Sequence, residues 1–375
     1  MKITDTLRQL IACNSISSSD QSIDQGNRGV IDLLAQWLVD LNFSVEIMPL
    51  ADPRKANLIA TLGSGPGGLV LAGHTDTVPC DDKLWRQSPF QLTERDNRFY
   101  GLGTCDMKGF FALAIEAIKR SANQQLRQPL IVLATADEES SMDGARALTA
   151  AGKPLARYAL VGEPTGMRPV ALHKGIMIET LVVRGHSGHS SNPALGNNAL
   201  HTMHDALGVL RRLQAELKSR YHNPLFEVDF PTLNLGYVHG GDNPNRICGH
   251  CELGFEIRPL PGMDIDELHA LLGQRLLGLG ADEGTEVSLE YFSVPPFAAD
   301  TDSELLRYCE KLTGHSGSSV AFATEAPFLQ QLGMDVVVMG PGNIDQAHQP
   351  DEYLGADRIE PSVDYISQLI GKFCL

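Results

Sequence analysis

Gly68-Leu69-Val70-Leu71-Ala72-Gly73-His74-Thr75-Asp76 is an apolar run that ends abruptly in a histidine and an aspartate. A run this short and this apolar reads as a strand buried on both faces, as in the middle of a parallel sheet. Residues 130–136 (LIVLATA) and 158–162 (YALVG) read the same way. Between the first two lie residues 107–120 (MKGFFALAIEAIKR), whose apolar spacing is that of a helix, as is that of residues 28–42. Strand, helix, strand is the signature of an α/β layer with a largely parallel sheet.

Beyond residue 173 the pattern changes. Residues 176–184 alternate as a strand, 199–218 form a long helix, and 232–238 and 252–258 are strands. A helix over 265–279 and a strand over 286–292 complete a βαββαβ order, the ferredoxin-like α+β plan. After it the α/β character returns, with a helix over 304–312, a strand over 336–339 and a closing helix over 362–373. The expected architecture is a discontinuous, mostly parallel-sheet domain (1–173 and 293–375) interrupted by a smaller inserted domain (174–292). A chain of 375 residues is long enough for two cores.

The balance of 46 acidic to 30 basic residues gives a net charge of −16, which argues against nucleic acid and anionic membranes as partners. No stretch is long and apolar enough to span a bilayer, and residues 1–10 show no positive-then-apolar signal pattern. The expected location is the cytoplasm. Seven cysteines, an odd number and widely scattered, do not suggest a disulfide framework. Cys248 and Cys251 form a C-x-x-C that lacks two further ligands and reads as a reduced pair at a strand.

The chemistry collects where the strands end. Residues 68–73 deliver His74 and Asp76, residues 130–136 deliver Asp137-Glu138-Glu139, and residues 158–162 deliver Glu163. Tyr100-Gly101-Leu102-Gly103-Thr104-Cys105 leads to Asp106 just before a helix, and residues 336–340 lead through Pro341-Gly342 to His348. Open α/β sheets bind ligands outside the carboxyl ends of their strands, so five segments bring histidine or carboxylate to one place. Two histidines and three carboxylates suit a pair of zinc ions. In a strand residues i and i+2 share a face, so Asp76 is placed to hold the second imidazole nitrogen of His74.

These motifs, His74-Thr75-Asp76-Thr77-Val78-Pro79, then residues 101–109 and then Asp137-Glu138-Glu139, resemble the metal-dependent aminoacylase and carboxypeptidase family along essentially the whole chain. The resemblance implies His74 and Glu163 as ligands of one Zn2+ and Glu139 and His348 as ligands of the other. Asp106 is then the bridging carboxylate, reached through a cis Asp106–Met107 bond, and Glu138 is the general base. Cobalt is a plausible substitute for zinc. The implied reaction is hydrolysis of the amide of a small N-acyl amino acid. In residues 100–111, 231–245, 257–263, 323–328 and 340–353 the chain resembles the family members that act on N2-acetyl-L-ornithine, which implies that substrate, with a desuccinylase, dipeptidase or broad acyl-amino-acid hydrolase as the alternative.

In the inserted domain, Gly185-His186-Ser187-Gly188-His189-Ser190 resembles a lid segment of the family whose histidine, here His189, reaches the site of a partner subunit and assists the oxyanion. This implies a homodimer with a lid and dimerisation domain. Asn245 matches a family asparagine expected near the substrate carbonyl, and Arg258 is suited to pair a substrate carboxylate, with a surface salt bridge as the alternative. Glu325, within Thr324-Glu325-Ala326-Pro327-Phe328, is suited to neutralise an ammonium on the substrate side chain.

Overall fold

The computed structural model describes residues 2–122 and 124–375. Met1, which begins the segment read above for a leader, lies outside them. The chain divides into two compact units, residues 1–171, 299–318 and 324–375 on one hand and residues 172–298 with 319–323 on the other. The crossings fall slightly outside the boundaries expected from sequence. The reason is that the strand Glu286–Val294 runs on, and Phe297–Ala298 then pairs with Leu172 and His173.

In the first unit, six strands lie side by side in the order Ser44–Pro49, Ala56–Leu62, Leu130–Thr135, Leu69–His74, Tyr158–Pro164 and Asp335–Gly340. The last four are mutually parallel, and the first two run antiparallel at one side. The parallel strands Leu69–His74 and Leu130–Thr135 are buried at every position, which is why their sequences are uninterrupted apolar runs. The helix Lys108–Ser121 presses Phe110 and Phe111 into the same core as Leu71, Leu160 and Val337. Its close approach depends on glycine. A Cβ at Gly162 would lie 2.3 Å from the Phe110 ring, and one at Gly73 would lie 2.2 Å from the Met107 methyl.

Several elements were not visible in the sequence. Ser44–Pro49 mixes exposed and half-buried positions and carries no clear period. The closing helix starts at Ala356, ahead of Pro361, which it accommodates instead of beginning after it.

The second unit contains four antiparallel strands in the order Thr232–Gly240, His250–Arg258, Ile176–Arg184 and Glu286–Val294. With the helices Ala199–Arg220 and Ile265–Leu276 this is the βαββαβ arrangement read from the sequence. Leu181, Val183, Leu253, Phe255 and Ile257 on the strands meet Leu210, Leu213, Leu272 and Leu276 on the helices in one core. Among the described residues no helix is long and apolar enough to cross a membrane.

Candidate metal centre

Four adjacent parallel strands must end at the same edge of the sheet, and each brings a polar residue there. His74 is the last residue of Leu69–His74, and Glu163 lies at the end of Tyr158–Pro164. Asp137, Glu138 and Glu139 follow Leu130–Thr135, and His348 follows Asp335–Gly340 through the short turn Ile344–Gln346. Asp106 stands just before the helix Lys108–Ser121, and the Asp106–Met107 bond is cis. All five expected ligands and Glu138 therefore come from the first unit.

Asp106 occupies the middle. Its Oδ1 lies 3.1 Å from His74 Nε2, and its Oδ2 lies 3.5 Å from His348 Nε2. His348 Nε2 also lies 3.0 Å from Glu139 Oε1, and His74 Nε2 lies 3.9 Å from Glu163 Oε1. Ligand atoms of His74, Glu138 and Glu163 fall within 4.8 Å of one another, as do those of His74, Asp106 and Glu139. His74, Asp106 and Glu163 are buried, whereas the His348 side chain is 53% exposed, so the cluster meets solvent on the His348 side.

The electrostatics are those of a cation site. Burial opposes a charge on His74, but its bond to Asp106 and the nearby Glu163 and Glu138 outweigh this and hold its pKa well above the imidazole value. His348, hydrogen-bonded to Asp106 and Glu139, is pushed up to about 10. Burial raises Glu138 and Glu163 far above the ordinary carboxyl range; the charge of Glu163 adds to it at Glu138, and those of Asp106, Glu139 and Glu325 add to it at Glu163. Glu163 Oε1 is buried with no hydrogen-bond partner among the described residues. Four carboxylates facing two imidazoles, one with an orphaned oxygen, form a nitrogen-and-oxygen donor set that fits divalent ions of the zinc type.

The surroundings hold these ligands in place. The expectation that the Asp76 carboxylate grips the His74 imidazole is corrected. Nδ1 lies 2.9 Å from the Asp76 backbone oxygen and 3.8 Å from its carboxylate. The strand stops at His74, so the two side chains no longer share a strand face. The Asp76 carboxylate accepts instead from the amides of Glu138 at 3.3 Å and Glu139 at 3.1 Å, and thereby shapes the turn that carries them. Asp137 in that turn has a positive φ of 61° and accepts from Lys55 Nζ at 2.7 Å and Ser17 Oγ at 2.9 Å. Lys55 and Ser17 were missed because nothing in their local sequence marks them. They come from segments far from residue 137 and are brought there only by folding.

Glu325 is 1% exposed, and its Oε2 accepts from Thr135 Oγ1 at 2.6 Å. Burial raises its pKa to about 7, and its Oε1 has no hydrogen-bond partner among the described residues.

The remaining expected residues belong to the second unit. His189 forms a bridge with Arg246, and the Ser190 amide donates to the Asn245 carbonyl at 3.0 Å, so these two loops are one structure. His189 is exposed, with Nδ1 at 2.7 Å from Ser191 Oγ. Arg258 lies at the opposite end of the sheet, where the chain enters and leaves the unit. His250 pairs with Arg184 at the His189 end, and Ile257 pairs with Met177 at the other. Arg258 is paired with Glu256 at 2.8 Å, the salt bridge considered as its alternative role.

A sequence profile described as peptidase family M20/M25/M40 matches residues 70–372. An acetylornithine deacetylase of Photorhabdus laumondii is 47% identical over 374 residues, covering 99% of this chain and 97% of its own length. One of Klebsiella pneumoniae is 49% identical over 370 residues, covering 98% and 96%. Among solved structures, an M20 family metallo-carboxypeptidase of Sulfolobus solfataricus superposes with a TM-score of 0.78 at 17% identity, over 99% of this chain and 98% of that one. Bacillus subtilis YXEP, a dinuclear metal binding peptidase from the same family, gives 0.66 at 14% identity, over 98% and 96%.

Proposed function

The chain belongs to peptidase family M20/M25/M40, and from that premise we propose that it is a metal-dependent amidohydrolase that converts N2-acetyl-L-ornithine to L-ornithine and acetate. The observation that carries this reading is the placement of Asp106 between His74 and His348, in a chain nearly half identical, end to end, to acetylornithine deacetylases. The test is amine release from a panel of substrates with and without chelator. Acetylornithine should be the best substrate and chelation should abolish turnover. Faster release from succinyl-diaminopimelate or a dipeptide would replace the substrate named here.

His74 and Glu163 would hold one ion in this proposal and Glu139 and His348 the other, with Asp106 as the carboxylate shared between them. Bound there, two zinc ions supply Lewis acidity that lowers the pKa of a water and polarises the amide carbonyl. Glu138 takes the proton of the attacking water and hands it to the departing amine. Asp76 holds the turn that aims Glu138. Cobalt would substitute for zinc at the same ligands. Metal titration of chelator-stripped protein is expected to saturate at two ions per chain, and saturation at one would remove Asp106 from its bridging role.

The second unit acts as lid and dimerisation domain of a homodimer, with Asn245 near the substrate carbonyl. Ornithine released in the cytoplasm would enter arginine biosynthesis. Arg258 takes the substrate α-carboxylate in exchange for Glu256, and Glu325 takes the side-chain ammonium. A buried carboxyl with an unpaired oxygen is the kind of group a cation satisfies. Glu325→Gln should therefore lower kcat/KM on acetylornithine by roughly 10²-fold and on acetylmethionine far less. Equal losses on both would make Glu325 a structural residue of the Thr135 contact.

A further inference from the structure

The segment that follows His348 carries a second acid, Glu352, which has no place in the ligand set. It is 1% exposed, and its carboxylate turns under residues 103–106. Oε1 accepts from the amides of Gly103 at 3.0 Å, Cys105 at 2.7 Å and Asp106 at 3.0 Å, and Oε2 lies 3.1 Å from the Gly103 amide. The Glu352 carbonyl accepts from the Gly101 amide at 3.0 Å. Immediately after it, Tyr353–Gly355 pairs with Arg98–Tyr100. A carboxyl group that gathers three amides of one loop fixes the peptide planes around it.

The last of those planes belongs to Asp106. For Asp106 to serve two sides at once, its backbone must be held at a fixed height relative to both His74 and His348. His74 is held by the sheet. His348 sits on an exposed loop with a positive φ of 59°, and Glu352 stands a few residues further along the same segment. We infer that Glu352 is a positioning residue for the metal centre. It locks the loop 103–106 onto the segment that bears His348, and so sets the separation of Asp106 from His348 and Glu139 on which the second ion depends. The inference rests on the two-ion reading above.

The test uses full-length, chelator-stripped protein titrated with Co2+ and followed by visible absorption, together with kcat and KM on acetylornithine. Wild type should take up two ions. If it does not, the two-ion centre itself is wrong and this role goes with it. Glu352→Ala should take up the first ion normally and the second roughly 10- to 100-fold more weakly, with kcat reduced by a similar factor. KM should stay within about threefold, because Glu352 is sealed beneath residues 103–106 and away from solvent. Glu352→Gln keeps an oxygen where Oε1 receives its amides, and should restore most of the second-ion affinity and of the Co2+ spectrum. Wild-type uptake of both ions by Glu352→Ala overturns the inference. So does a Gln variant as impaired as the Ala one. If Glu352→Ala fails to fold, Glu352→Asp takes its place. It keeps the carboxyl group but shortens the reach, and the same selective loss of the second ion is expected, with wild-type affinity overturning the role.

Discussion

Glu138→Gln is expected to retain both metal ions and to lose between about 10² and 10⁴ in kcat, the range that general acid–base catalysis contributes. That corresponds to about 3–5 kcal/mol of transition-state stabilisation. The reasoning is geometric. Glu138 and Glu139 are adjacent in sequence but diverge at the end of a buried strand. Glu139 Oε1 meets His348, while Glu138 sits against His74 and Glu163. The turn is fixed from below by the Asp76 carboxylate, through the amides of both residues, and by the contacts of Lys55 and Ser17 with Asp137. An amide at position 138 fits the same space but cannot accept a proton. The measurements are metal content after gel filtration and steady-state turnover of acetylornithine. Near-normal turnover with two ions bound would move the base role to another residue, and loss of an ion would make Glu138 a ligand.

The second large effect concerns His189. Within the second unit it lies beyond the His250 end of the strand His250–Arg258, whose two ends are roughly 26 Å apart at about 3.3 Å per residue. A molecule the size of an acyl amino acid cannot touch both residues of one unit. His189 is expected to serve the site of another chain, as the resemblance of residues 185–190 to the family's lid segment implies. The edge strand Thr232–Gly240, paired on one side only and exposing Tyr237 and Val238, offers a surface for a self-complementary contact with a second copy. His189→Ala alone should lose roughly 10²–10³ in kcat, the usual cost of an oxyanion donor. Glu138→Ala should be nearly inactive as well. Refolded together, the two variants should regain about one quarter of wild-type activity. Random pairing makes about half of the dimers hybrid, and each hybrid has one site of two with both groups intact. Verified hybrid dimers without recovered activity would confine His189 to its own subunit.

How much of this was legible in the sequence follows from the range of the forces involved. Buried parallel strands need apolar side chains on both faces, so residues 69–74, 130–135 and 158–162 announce themselves, and the polar residues that end them mark the ligand edge. The alternation of 176–184 and the two amphipathic helices of the second unit are equally local signals. The half-exposed strand Ser44–Pro49 gives no such signal. The partner of an imidazole is not a local matter either. The expected grip of the Asp76 carboxylate on His74 assumed that the strand continues two residues further. It stops at His74, and a backbone oxygen takes the contact while the carboxylate turns to the Glu138–Glu139 amides.

Residue types and periodicity alone carry the two-part α/β plan, the candidate set of His74, Asp106, Glu138, Glu139, Glu163 and His348, and the likeness to amide-cleaving metalloenzymes. Periodicity and the identity of donor atoms are written in the chain one residue at a time. Folding is what sets which oxygen of Asp106 faces which histidine, brings Lys55 and Ser17 to Asp137, and seals Glu325 against Thr135 with one oxygen unpaired among the described residues. It also decided that Glu352 lies beneath the Asp106 loop. Each of these joins residues distant in sequence through a hydrogen bond a few ångströms long. Such a bond depends on direction and burial, and both are fixed only when the sheet and its loops have closed around it.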